Sequence, residues 1–133
     1  MADWKMKLLL DTHTFIWWAS EPGNLSKKSL AALENEKNDI ILSVVSVWEM
    51  QIKIQLGKLK LNHPLGDLIL KQQNSNDIQI LPVSLEHVLA LENLPAFHRD
   101  PFDRLLIIQA IQEKFLLVSK DKIFQQYPVK LFW

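Results

Sequence analysis

The sequence predicts an α/β fold built on a parallel sheet, and two observations carry that prediction. Strand-length apolar runs alternate with helix-length periodic segments along all 133 residues, which is the pattern of βαβ units. The first run, Lys7-Leu8-Leu9-Leu10, ends on a carboxylate, Asp11, and a helical pattern begins straight after it. In open α/β sheets ligands bind in the crevice outside the carboxyl ends of the strands. Asp11 therefore falls where such a fold does its chemistry.

The elements follow in order. After the first, central strand, a helix carries Phe15 to Ala19 until Pro22-Gly23-Asn24 breaks it. Ser26 caps a second helix running to about Glu36. Lys37-Asn38-Asp39 is a turn, and Ile40 to Ser43 is the second strand. Ser46-Val47-Trp48-Glu49 has the capping-box spacing and is expected to open a third helix to about Leu56. Gly57 ends it as a C′ residue. A basic and apolar connector, Lys58 to His63, leads to Pro64 and a fourth helix ending near Gln73.

The third strand is expected at about Ile78 to Leu81, closed by Pro82, and Ser84 caps a helix to about Glu92. Asp100-Pro101 opens the most strongly helical segment, up to Lys114, with Pro101 at N1 and Asp100 as N-cap. Phe115 to Ser119 is the fourth strand, Asp121 to Gln126 one or two turns, and Val129 to Phe132 the fifth strand. No internal repeat or linker interrupts the chain, so one domain over 1–133 is expected.

Composition limits the function. Hydrophobic residues make up 48% of the chain, enough to fill a core of this size. The absence of cysteine excludes disulfides, zinc-thiolate sites and thiol catalysis, and fits a reducing cytoplasm. Lys+Arg and Asp+Glu both total 15, so bulk charge gives no attraction to nucleic acid and any basic surface is local. Lys53, Lys58 and Lys60 are the one such cluster. No run approaches the ~20 apolar residues that span a bilayer. Met1 to Met6 lacks a signal-peptide pattern. A cytoplasmic protein without a membrane is expected.

Four acids are placed on one rim by topology. In a parallel sheet every crossover helix starts on the side where the strands end. Asp11 and Asp121 follow strands one and four, while Glu49 and Asp103 lie in the first turns of helices. Each also has a plainer reading. Asp11 and Asp121 serve equally as caps of the turns that follow them, Glu49 as the capping-box partner of Ser46, and Asp103 as the N3 residue behind Asp100. Glu86 shares the rim, but an edge strand carries it away. Gathered carboxylates raise one another's pKa and oppose folding; a divalent cation offsets that. Oxygen ligands without cysteine favour Mg²⁺ or Mn²⁺, and phosphodiester hydrolysis is the natural use.

With these stretches the chain resembles the PIN-domain ribonucleases, and within them the VapC-type toxins of bacterial toxin–antitoxin pairs. Leu8-Leu9-Leu10-Asp11-Thr12-His13, Ser46-Val47-Trp48-Glu49, Gly57-Lys58-Leu59, His98-Arg99-Asp100-Pro101-Phe102-Asp103-Arg104 and Leu117-Val118-Ser119-Lys120-Asp121 run in family order. The resemblance implies a three-layer α/β/α fold with a five-stranded parallel sheet of order 3-2-1-4-5. It implies a Mg²⁺- or Mn²⁺-dependent endoribonuclease leaving 5′-phosphate and 3′-hydroxyl ends, with Asp11, Glu49, Asp103 and Asp121 as catalytic and metal residues. Its partners would be RNA, a cognate antitoxin and a second copy in a homodimer. Asp11 and Asp103 would contact the metal, while Glu49 and Asp121 would complete its shell or orient the attacking water.

Arg104, Thr12 and Ser119 are candidate substrate contacts, the first through its fork of donors; Thr12 and Ser119 also suit hydrogen bonds to the acids. His13 and His98 near the rim are read as solvated or structural. Trp48 and Ile52, beside Val47, Met50 and Ile54, make the third helix apolar on two sides, as a subunit or antitoxin contact would require. Ile108 stands where the family usually has a small residue, which bears on helix packing. A silent binding module that only pairs with its partner is the alternative. An aspartate-nucleophile phosphotransferase would want an acid where His13 stands, and a response-regulator receiver one where the third strand gives Pro82-Val83-Ser84.

Overall fold

The structure, a computed structural model, describes residues 5–133. Met1 to Trp4, on which most of the signal-peptide expectation falls, lie outside them. Five parallel strands form one sheet in the order β3-β2-β1-β4-β5. The strands are β1 (Lys7–Leu10), β2 (Asp39–Ser43), β3 (Gln79–Leu81), β4 (Leu116–Val118) and β5 (Leu131–Phe132). The helices are α1 (Thr12–Ser20), α2 (Lys27–Glu34), α3 (Val44–Gln55), α4 (Leu65–Asn76), α5 (Leu85–Ala90) and α6 (Pro101–Glu113). Short 3₁₀ turns lie at Pro22–Asn24, Leu91–Asn93 and Lys122–Gln126.

β1 is central because Leu8, Leu9 and Leu10 are apolar and buried on both faces. Leu10 pairs with Leu42 of β2 on one side and Val118 of β4 on the other. Side chains alternate across a strand, so Leu8 and Leu10 enter one core, with Phe15, Leu33 and Met50. Leu9 enters the other, with Leu106, Ile107 and Phe124. Two cores on opposite faces of one sheet make the expected three layers. The sheet order places the reversal of winding at β1 and β4, where Asp11 and Asp121 emerge.

α3 departs from the expected start. β2 runs into it without a loop, and its N-cap is Ser43, whose Oγ accepts from the Val45 N–H at 3.0 Å. Ser46 lies inside the helix, its hydroxyl buried without a hydrogen-bond partner, so there is no Ser46–Glu49 capping box. The Ser43 hydroxyl donates to Oε1 of Gln109 at 2.6 Å, and Gln109 Nε2 donates to the Pro82 carbonyl at 3.2 Å. This fully buried amide ties β2, α6 and the end of β3 together, its polar atoms satisfied as burial demands.

In α6, five consecutive residues from Leu106 to Ala110 are buried. Ile108 packs at 6% exposure, so the larger residue is accommodated. Gly57 follows α3 with φ +72, the left-handed conformation a C′ glycine supplies. Among the described residues no helix is long and apolar enough to cross a membrane.

Candidate metal centre

Asp11, Glu49, Asp103 and Asp121 line a single cleft of about 160 Å³ at the carboxyl ends of β1 and β4, together with Thr12, His13, Lys53, Asp100 and Phe124. Glu86 does not line it. Each acid is held differently, and Asp11 and Asp121 both cap an element and line the cleft.

Asp11 is the N-cap of α1, and its Oδ1 accepts from the Thr14 N–H at 2.8 Å. Its Oδ2 accepts from the Ser119 hydroxyl at 2.5 Å. Burial pushes its carboxyl above the usual range, and the Ser119 and Thr14 hydrogen bonds offset part of that. Asp121 caps the 3₁₀ turn after β4 through Oδ1 and the Ile123 N–H. Its own N–H donates to Ser119 Oγ at 3.0 Å, so one hydroxyl links the two strand-end acids.

Glu49, in the middle of α3, accepts from the Thr12 hydroxyl through Oε1 and pairs with Lys53 Nζ at 3.0 Å through Oε2. At Asp100 the structure supports the cap, because its Oδ1 takes the N–H groups of Phe102 and Asp103. That leaves the Asp103 carboxylate free to face the cleft, where Oδ2 lies 3.4 Å from Nε2 of His98. Burial pushes Asp103 up to about 7, and the charges of Asp100, Glu49, Asp121 and Asp11 add to the shift. Five carboxyls line the cleft, and their mutual repulsion opposes ionisation of Asp103.

The hydrogen bonds expected from Thr12 and Ser119 to the acids are present, and Arg104 engages backbone carbonyls. The Thr12 and Ser119 hydroxyls donate to Glu49 and Asp11. Arg104 donates to the carbonyls of Leu94, Pro95 and His98, clamping the loop before α6. Lys53 leaves the expected basic cluster for the cleft, while Lys58 and Lys60 stay exposed. The i,i+4 spacing of Glu49 and Lys53 was the available signal. Trp48 is 59% exposed and meets the Phe102 ring edge-on at 5.0 Å. A second hollow of about 210 Å³ adjoins the cleft, sharing Asp11, His13 and Asp121 and adding Trp17 and Lys120.

The donors fit a hard divalent ion. They are carboxylates that crowd one another, and among the described residues Lys53, paired with Glu49, is the one Lys or Arg lining the cleft. Among the described residues no three acids or histidines are already gathered at metal-holding distances.

The PIN domain family model matches residues 8–130. The chain belongs to the PIN-domain family. This PIN domain is 28% identical over 116 residues to Ribonuclease VapC22 of Mycobacterium tuberculosis (strain ATCC 25618 / H37Rv), which covers 86% of this chain and 87% of that one. Its fold is similar to a chain in the crystal structure of VapBC2 from Rickettsia felis bound to a promoter DNA fragment. There the TM-score is 0.73 at 20% identity, over 96% of this chain and 99% of the other. It is also similar to FitAcB from Neisseria gonorrhoeae, with TM-score 0.63 and 18% identity over 95% and 96% of the two chains.

Proposed function

We propose that this PIN domain is a divalent-metal-dependent endoribonuclease acting as the toxin of a toxin–antitoxin pair. The observation that carries the reading is the convergence of Asp11, Glu49, Asp103 and Asp121 on one cleft from four separate elements. Its likeness to a ribonuclease supports the substrate class. Asp11 and Asp103 are the residues that would hold Mg²⁺ or Mn²⁺, with Glu49 and Asp121 completing the shell. A bound ion of this kind supplies an ionised water and countercharge for the phosphoryl oxygens.

The protein's own share is orientation. Ser119 fixes Asp11 and the backbone of Asp121, and Thr12 fixes Glu49. Lys53, paired with Glu49, lines the cleft and would meet an incoming phosphate there. The adjoining hollow offers the Trp17 ring and the Lys120 ammonium to a flanking nucleotide, by stacking and charge. Exposed apolar side chains suit partner chains, an antitoxin and a second copy. They are Val44 and Trp48 on α3 and Leu85, Val88 and Leu89 on α5.

The test is cleavage of end-labelled RNA by wild type with Mg²⁺ or Mn²⁺ and with EDTA. Cleavage with metal that stops with EDTA is expected. No cleavage of any RNA would favour the silent binding module instead.

A further inference from the structure

We infer that His98 is the positioning residue for Asp103, presenting an Nε2–H to its carboxylate in a tautomer fixed by Tyr127. This rests on the metal-dependent reading of the cleft, but the hydrogen-bond assignment beneath it is independent. The Tyr127 hydroxyl oxygen, on a 5%-exposed ring, accepts the His98 backbone N–H at 3.1 Å and approaches Nη1 of Arg104 at 3.5 Å. With both lone pairs taken by donors, its own hydrogen has one remaining target, His98 Nδ1 at 2.6 Å. Nδ1 is then an acceptor. A neutral imidazole carries its single proton on the other nitrogen, Nε2.

Nε2 is buried, has no conventional hydrogen-bond partner, and faces Asp103 Oδ2 at 3.4 Å. A buried donor left unpaired is costly, so a small approach of Asp103 satisfies both groups. The surrounding loop is held by several contacts. Arg104 holds the carbonyls of Leu94, Pro95 and His98, and the His98 ring meets Tyr127 edge-on at 5.3 Å. This is how partners of ligating carboxylates work elsewhere: they set the orientation of the ligand and are worth about 10–100-fold in metal affinity.

The amide nitrogen of Gln stands where Nε2 stands; Asn reaches only as far as Nδ1. The experiment titrates wild type, His98→Gln, His98→Asn and Asp103→Asn with Mn²⁺ by calorimetry, and reads the His98 tautomer by ¹⁵N NMR of metal-free wild type near ~pH 8.5. We expect His98→Asn to bind Mn²⁺ about tenfold more weakly and His98→Gln to stay within about threefold of wild type. The ring should be protonated at Nε2, with the Tyr127→Phe variant losing that preference. Equal Mn²⁺ affinity in the Gln and Asn variants at matched melting temperature overturns the inference, as does protonation at Nδ1. If Asp103→Asn binds Mn²⁺ like wild type, the metal reading of the cleft fails, and the tautomer still decides the hydrogen-bond assignment.

Discussion

Asp11→Asn is expected to lower metal-stimulated RNA cleavage about a thousandfold without unfolding the protein. Changes to the partners of a metal ligand already cost about 10–100-fold, and removing the ligand's charge removes more. The fold is spared because asparagine caps helices as well as aspartate does. Its side-chain oxygen still accepts from the Thr14 N–H that now binds Oδ1. Burial opposes the charge of Asp11 in any case, so neutralising it carries little penalty. Initial rates on labelled RNA with Mn²⁺, beside thermal melts, make the check. A variant that cuts within about tenfold of wild type would show that Asp11 is not a ligand.

Asp103→Asn should abolish cleavage and stabilise the metal-free protein. The folded carboxyl sits at about 7 against 3.8 for the free group. A raised carboxyl contributes stability that is full below about pH 4 and is lost as pH rises through about 7. Metal-free wild type should therefore weaken across that window, and the variant should weaken less. The nominal gap would be worth about 4 kcal/mol. Because 22% of the side chain is exposed, solvent screening brings the expected gain at about pH 8 down to about 1–2 kcal/mol. Urea denaturation with EDTA at about pH 5 and about pH 8 measures it. A variant less stable than wild type at the higher pH contradicts the crowding of charge in the cleft.

What the sequence showed was local or topological. The alternation of apolar runs gave the parallel sheet, and the Asp100-Pro101 start gave the α6 cap, because both signals lie within a few residues. The common rim followed from strand direction alone. The start of α3 was missed because Val44 and Val45 extend β2's apolar run, while Ser46-x-x-Glu49 imitates a cap inside the helix. The hydrogen bonds of Thr12 and Ser119 to the acids were open to the sequence only as one reading among others, and the partners of Arg104 were not legible at all. Where a hydroxyl or guanidinium points depends on chains brought together over long separations, such as Ser119 and Asp11, 108 residues apart. Tyr127 lies 29 residues from His98, with no spacing rule to join them.

The most direct measurement is the position of Mn²⁺ by anomalous diffraction from crystals soaked in the ion. An anomalous peak in the cleft between Asp11 and Asp103, absent from Asp11→Asn crystals, is the result expected. An ion bound only elsewhere on the protein, or a peak unchanged by the substitution, would contradict the claim that these carboxylates form one cation site.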